Sequence, residues 1–208
     1  SHPAVNKLRL ALLVHGVDIS AKPGGVLSIA HGDRDLERTA QGLVWGAFTH
    51  AGQNCAAIER VYVVESVADA LVSRVVAITK TLRPGVDTGT LTTQAQRAIV
   101  ARHLARAVEA GGEILAGGEP DDPESLRFPP TVVRVANDET PLMQEETFGP
   151  ILPILVVKDA DEAVERANAS RYGLTTSIWS KRVGRAAELA RRMKSGVVTV
   201  NNHGFTAA

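Results

Sequence analysis

The sequence predicts an α/β fold of three layers, α/β/α, built around a mainly parallel sheet. Three observations carry this expectation. Short runs rich in β-branched residues alternate with longer segments of helical period along the whole chain. The run ILPILVV (151–157) is almost continuously apolar, as expected of a strand buried on both faces. No internal repeat interrupts the alternation. Strands separated by helices imply βαβ units, which place helices on both faces of the sheet.

Each element follows from local chemistry. Residues 8–14 read as a short buried strand, and Lys22-Pro23-Gly24-Gly25 as a turn by its Pro-Gly punctuation. Asp33 is placed to cap a helix whose apolar face is Leu36, Ala40, Leu43, Val44, Ala47 and Phe48, with Gly52 as its stop. RVYVV (60–64) reads as a strand. Ser66 and Asp69 have the spacing of a capping box, opening a helix to about Lys80. The segment 92–110 is the longest helix and ends at Gly111-Gly112. EILAG is a short strand, and the Pro- and acid-rich 119–130 a surface loop. Strands are then expected at 131–136, 151–157, 175–180 and 197–201, with helices at 161–168 and 183–194.

Composition narrows the function. The 208 residues are 44% hydrophobic and 22% charged, which fits a globular chain with a real core and excludes wholesale disorder. Lys and Arg number 23, as do Asp and Glu, so the chain lacks the basic excess a nucleic-acid binder needs. The run Leu8–Val14 is too short to span a bilayer, and Arg9 interrupts it. A soluble, cytoplasmic protein is expected. One cysteine, Cys55, permits neither an internal disulfide nor a cysteine-based zinc site. The six histidines lack metal-ligand spacing, so no metal is assigned.

Chemistry concentrates around Cys55. A lone cysteine is most often a small buried hydrophobe. This one sits in FTHAGQNCAA, where Gly52 allows a tight bend and Ala56 and Ala57 leave room for a ligand. Backbone N–H groups on such a bend favour a thiolate and can stabilise an oxyanion on a bound carbonyl. His50, five residues earlier, is a minor candidate for a base, since an imidazole titrates near neutrality. His15 and His31 read as solvent-facing or capping residues.

FTHAGQNCAAIER (48–60) resembles the cysteine motif of the aldehyde dehydrogenase superfamily. QEETFGPILPI (144–154) resembles that family's Glu-x-Phe-Gly-Pro motif. ANASRYGLTTSIWS (167–180) and SGVVTVNNHGF (195–205) are similar to its closing segments. Four motifs in the right order are far more specific than any one. Taken singly, Glu146 is a solvated acid and Phe148-Gly149-Pro150 a plain turn.

The resemblance implies an NAD(P)-dependent oxidation of an aldehyde to a carboxylic acid. A thiolate on Cys55 attacks the aldehyde, hydride passes to the nicotinamide, and water hydrolyses the thioester that remains. Cys55 would also lend its own N–H to an oxyanion hole. Glu146 would hold the ribose of NAD or NADP, and Phe148 would pack near the nicotinamide. Asn201, His203 and Phe205 would lie at the substrate entrance, with His203 and Phe205 setting specificity. A homo-oligomer, with a twofold dimer as first expectation, goes with the family.

The resemblance also has gaps. The family's N-terminal dinucleotide-binding domain has no counterpart in the sequence. Nor is there a carboxylate in Ala21-Lys22-Pro23-Gly24-Gly25, where the family carries its general base; Asp18 is the nearest acid. Residues 1–30 therefore read as a divergent segment and 31–208 as the catalytic domain. A truncated, inactive relative is the rival expectation, and the 208-residue chain alone is expected to show negligible NAD-linked turnover.

Overall fold

A computed structural model describes residues 24–29, 33–118, 120, 122 and 124–203. Seven strands form one sheet: β1 (Gly24–Ile29), β2 (Ile58–Val64), β3 (Glu113–Ala116), β4 (Thr131–Arg134), β5 (Ile151–Val157), β6 (Thr175–Ser180) and β7 (Val197–Val200). Their order is β3-β4-β5-β2-β1-β6-β7. Every pairing is parallel except β3 with β4, which is antiparallel. The helices are α1 (Asp33–Phe48), α2 (Glu65–Thr79), α3 (Gln94–Glu109), α4 (Pro141–Gln144), α5 (Ala160–Ala169) and α6 (Val183–Ala190).

Strand order explains the layers. The connections through α1 and α2 step in one direction along the sheet, and those through α5 and α6 step in the other. Right-handed crossovers then place the two pairs on opposite faces. The core between the layers is built from Leu43, Phe48, Leu71, Leu104, Leu142 and Leu152, all fully buried. Each such side chain contributes roughly 1.5–3 kcal/mol by leaving water. Phe128 is also fully buried, so the acidic loop is pinned to the body at its far end.

The structure revises several sequence expectations. Gly24 and Gly25 are not a turn but the start of β1, hydrogen-bonded between β2 and β6. Two parallel neighbours outweigh glycine's poor strand propensity, and the register shift between Gly24 and Gly25 is the mark glycine leaves. The sheet therefore begins before residue 31, where the sequence reading placed the domain boundary. β2 starts two residues earlier than expected, and α6 stops at Ala190. Helix α2 starts at Glu65 without a side-chain cap, so Ser66 and Asp69 form no capping box. The strand expected at 8–14 lies outside the described residues. Among the described residues, no helix is long and apolar enough to cross a membrane.

Candidate functional site

Two loops enter neighbouring parallel strands from the same sheet edge. Residues 53–57 lead into β2, and residues 145–150 lead into β5, which pairs with β2 in register. Fold and strand direction alone therefore bring the loop of Cys55 beside the loop of Glu146 and Phe148.

The cysteine loop is shaped by its own polar residues. Helix α1 runs into a short 3-10 turn, Thr49–Gly52, in which His50 and Ala51 adopt left-handed φ of 55°. The Gln53 side chain donates to the carbonyls of His50 (3.0 Å) and Thr90 (2.9 Å) and accepts from the N–H of Thr92 (2.8 Å). Asn54 then accepts from Ala57 N–H through its backbone and from Ala56 N–H through its side chain. Cys55 is held at the tip of this turn, exposed. Its own N–H has no acceptor among the described residues.

The second loop is fixed from several sides. Phe148 has φ of 49°, a left-handed conformation that costs a non-glycine residue about 1–2 kcal/mol. Its N–H donates to Glu59 Oε1 (2.9 Å), and its carbonyl accepts from Gln96 Nε2 (3.0 Å). Such strain persists only where the surroundings over-determine it. Glu146 is exposed, Phe148 half-buried. The Glu146 carboxylate makes no hydrogen bond among the described residues.

The two loops touch through their glycines. A methyl group at Gly52 would lie 2.2 Å from the Gly149 carbonyl oxygen, and one at Gly149 would lie 2.3 Å from Val100 Cγ2. Gly52 also needs its φ of +69°. Gly52 is demanded by the close approach of the Gly149 backbone and Gly149 by the Val100 side chain, which gives the Gly-Gln and Phe-Gly-Pro elements a packing reason each.

His203, expected beside the substrate entrance, is a buried side chain. It is packed against Gly46 of α1 and edge-on to Trp45. Its Nε2 is 3.1 Å from the Ala56 carbonyl, and its Nδ1 is 3.1 Å from Ser177 Oγ. A carbonyl can only accept, so in the neutral ring Nε2 carries the proton and Nδ1 accepts from Ser177. Burial holds the ring's pKa down to about 4. His203 thus holds the cysteine turn through the Ala56 carbonyl. Asn201, with φ of 53°, spends its side-chain amide on the backbone N–H and C=O of Ser180. Phe205 lies outside the described residues, as do His15, Asp18, Ala21 and His31. His50 is exposed.

Glu59 and Arg60 escaped the sequence reading. They sit in β2, whose every residue is buried. Glu59 accepts from the N–H groups of Thr147 (2.8 Å) and Phe148 (2.9 Å), one on each carboxylate oxygen. Burial raises its pKa above the ordinary glutamate value, against these donors and Arg60, which pull it down. Arg60 donates to the carbonyls of Met143 (2.5 Å) and Glu145 (2.9 Å) and lies over the Tyr172 ring. The available signal was an adjacent pair of opposite charges inside an apolar strand. His103 of α3 adds a contact to Thr147 Oγ1 (3.1 Å), and burial lowers its pKa. A cleft lined by Glu59, Arg60, Glu146, Tyr172, Thr176 and Ser195 opens beside this junction. Among the described residues there is no cluster able to hold a metal ion.

The geometry is that of an α/β domain with an exposed thiol at the tip of a glycine-bounded turn, packed against a strained Glu-Thr-Phe-Gly-Pro loop. The model of the aldehyde dehydrogenase family matches residues 21–208. The chain belongs to that family. It is 31% identical over 191 residues to lactaldehyde dehydrogenase of Escherichia coli, covering 88% of this chain and 40% of that one. A crystal structure of NADP-dependent glyceraldehyde-3-phosphate dehydrogenase from Bacillus halodurans, complexed with NADP, superposes with a TM-score of 0.82 at 31% identity, covering 90% of this chain and 39% of that one. For an NAD-dependent aldehyde dehydrogenase from Sinorhizobium meliloti the values are 0.78, 32%, 88% and 37%. The chain spans 34% to 40% of the length of the curated relatives it matches. The family match begins at residue 21, so β1 belongs to the shared fold.

Proposed function

We propose that this chain carries the cysteine half of an NAD(P)-dependent aldehyde dehydrogenase, oxidising an aldehyde to a carboxylic acid through a thioester on Cys55. The observation that carries the reading is the contact between the two loops. Gly52 against the Gly149 carbonyl holds the thiol-bearing turn beside Glu146 and Phe148.

In this reading the Cys55 thiolate adds to the aldehyde carbon. The oxygen that becomes negative is met by the Cys55 N–H, which needs no rearrangement to donate. A dinucleotide fits the residues present. An exposed Glu146 carboxylate with no hydrogen bond among the described residues suits ribose hydroxyls, and the half-buried Phe148 beside it suits a nicotinamide. When bound, the nicotinamide supplies a hydride acceptor. His203 keeps the Ala56 carbonyl in place behind the nucleophile. His203 therefore acts as a support in the proposal and carries no specificity, while Asn201 closes the end of β6.

The reading includes a homo-oligomer, with a dimer as its simplest form. Ile114 and Val197, on the two edge strands, are 40% and 42% exposed, and apolar edges of this kind suit burial by a second copy. A cytoplasmic location suits a cysteine that must stay a free thiol. The test is a single-turnover assay with an aliphatic aldehyde and NAD+ or NADP+. Reduced dinucleotide should form as one burst in proportion to the chain, without the continued turnover for which the sequence offers no general base, vanish in Cys55→Ala and persist in His50→Ala. Loss in His50→Ala with retention in Cys55→Ala would overturn the assignment.

A further inference from the structure

We propose that Glu59 and Arg60 are a positioning pair that sets Cys55 in register with Glu146 and Phe148. The proposal deepens the reading above and rests on it for the identity of the ligand, but the yoke itself is a matter of geometry.

The pair grips the second loop at both ends. Arg60 takes the carbonyls of Met143 and Glu145, ahead of Glu146. Glu59 takes the N–H groups of Thr147 and Phe148, behind it. Glu146 is the residue between the two grips, and its own side chain is left exposed. The segment 53–60 thus carries the nucleophile at one end and the clamp at the other. It has little slack, because Ala56, Ala57 and Ile58 between them are buried and the Ala56 carbonyl is tied to His203.

The choice of residue types is specific. Two N–H donors side by side need an acceptor with two oxygens, and only a carboxylate supplies both without presenting a donor of its own. Two carbonyls need a forked donor, and the guanidinium supplies one with fixed geometry. Burying an opposed pair in a strand costs desolvation, so such a pair stabilises the fold poorly. Its return is the fixed geometry of the loop, including the left-handed Phe148. Gln96 adds a second hold by donating to the Thr147 and Phe148 carbonyls.

The test uses Glu59→Gln. Its volume is unchanged, but it keeps one acceptor and turns an NH2 toward the other N–H. Hydrogen exchange is read at the Thr147 and Phe148 amides, and iodoacetamide alkylation is read at Cys55 with and without NAD+. In the wild-type chain both amides should exchange as slowly as those of β2. In Glu59→Gln they should exchange about ten- to a hundred-fold faster, as expected from losing a charge-assisted hydrogen bond. Cys55 alkylation should change several-fold, and protection by NAD+ should fall, while circular dichroism stays that of a folded chain. Arg60→Lys, which cannot fork, should give the same pattern from the opposite end and serves if Glu59→Gln fails to fold. Fast exchange in the wild type, unchanged exchange in both variants, or faster exchange with alkylation and NAD+ protection unaltered would each overturn the proposal. If NAD+ fails to protect Cys55 even in the wild type, the cofactor reading falls, and the yoke is then decided by exchange and alkylation rate alone.

Discussion

Acid should undo this structure partly through His203. The ring is buried, its Nε2 donates to the Ala56 carbonyl and its Nδ1 accepts from Ser177, so protonation places a charge in an apolar site and removes the acceptor Ser177 needs. Burial holds the folded pKa to about 4 from an ordinary 6.5. The unfolded chain therefore takes up this proton first as pH falls, and stability falls with it. The contribution is complete above pH 6.5 and is lost as pH descends to about 4. At 1.36 kcal/mol per unit, a shift of this size amounts to about 3 kcal/mol. The assay is urea unfolding of the wild type and of His203→Gln at a series of pH values between these limits. Carboxylates and His103 titrate in both proteins and cancel in the difference. The stability gap in favour of the wild type should shrink by about 3 kcal/mol toward the acid end. A gap that stays constant across the range would show that His203 does not titrate as a buried neutral ring.

Other substitutions test the loop junction. Gly52→Ala should cost about 2–5 kcal/mol in urea unfolding, combining a left-handed residue with a methyl group driven into the Gly149 carbonyl. Phe148→Gly relieves the strained φ while removing the ring, so unfolding free energy should change by less than about 2 kcal/mol while NAD+ protection of Cys55 from alkylation is lost. Asn201→Ala orphans the Ser180 N–H and C=O and leaves alanine at φ of 53°, which should lower stability by about 2–4 kcal/mol with little effect on the alkylation rate.

The regular elements were legible because period and apolar content decide them. ILPILVV and TTSIWS form strands with the bounds expected from sequence, since both are short runs rich in β-branched and apolar residues. β1 was hidden because its two glycines follow a proline and read as a turn, and only pairing on both flanks makes Gly24 and Gly25 a strand. The start of β2 was hidden by its charges. Ile58-Glu59, ahead of the expected strand at Arg60, reads as the end of a loop until the N–H groups of Thr147 and Phe148 are seen to satisfy the glutamate. Helix α4 is a single turn whose sequence, PLMQ, carries no period.

The site was legible as a set of motifs and not as a set of roles. Cys55 stood out by its neighbouring glycine and polar residues, Glu146 and Phe148 only by resemblance to the family's motif, and the fold brings their loops to one sheet edge. His203 shows what pattern leaves undetermined. The resemblance put it by a substrate entrance, while in the structure Gly46 opens a socket in α1 that the ring fills. A histidine's letter does not reveal which nitrogen meets a carbonyl or whether water reaches it.

The central claim is that Cys55 is the atom that carries the acyl group. The most direct measurement is peptide mass analysis of Cys55 after mixing the chain with an aldehyde and NAD+ or NADP+ and quenching in acid. The account predicts a thioester on Cys55, two hydrogens lighter than the sum of thiol and aldehyde, formed only when the dinucleotide is present. An unmodified Cys55 under conditions where the aldehyde is oxidised, or the acyl group on another residue, would contradict it.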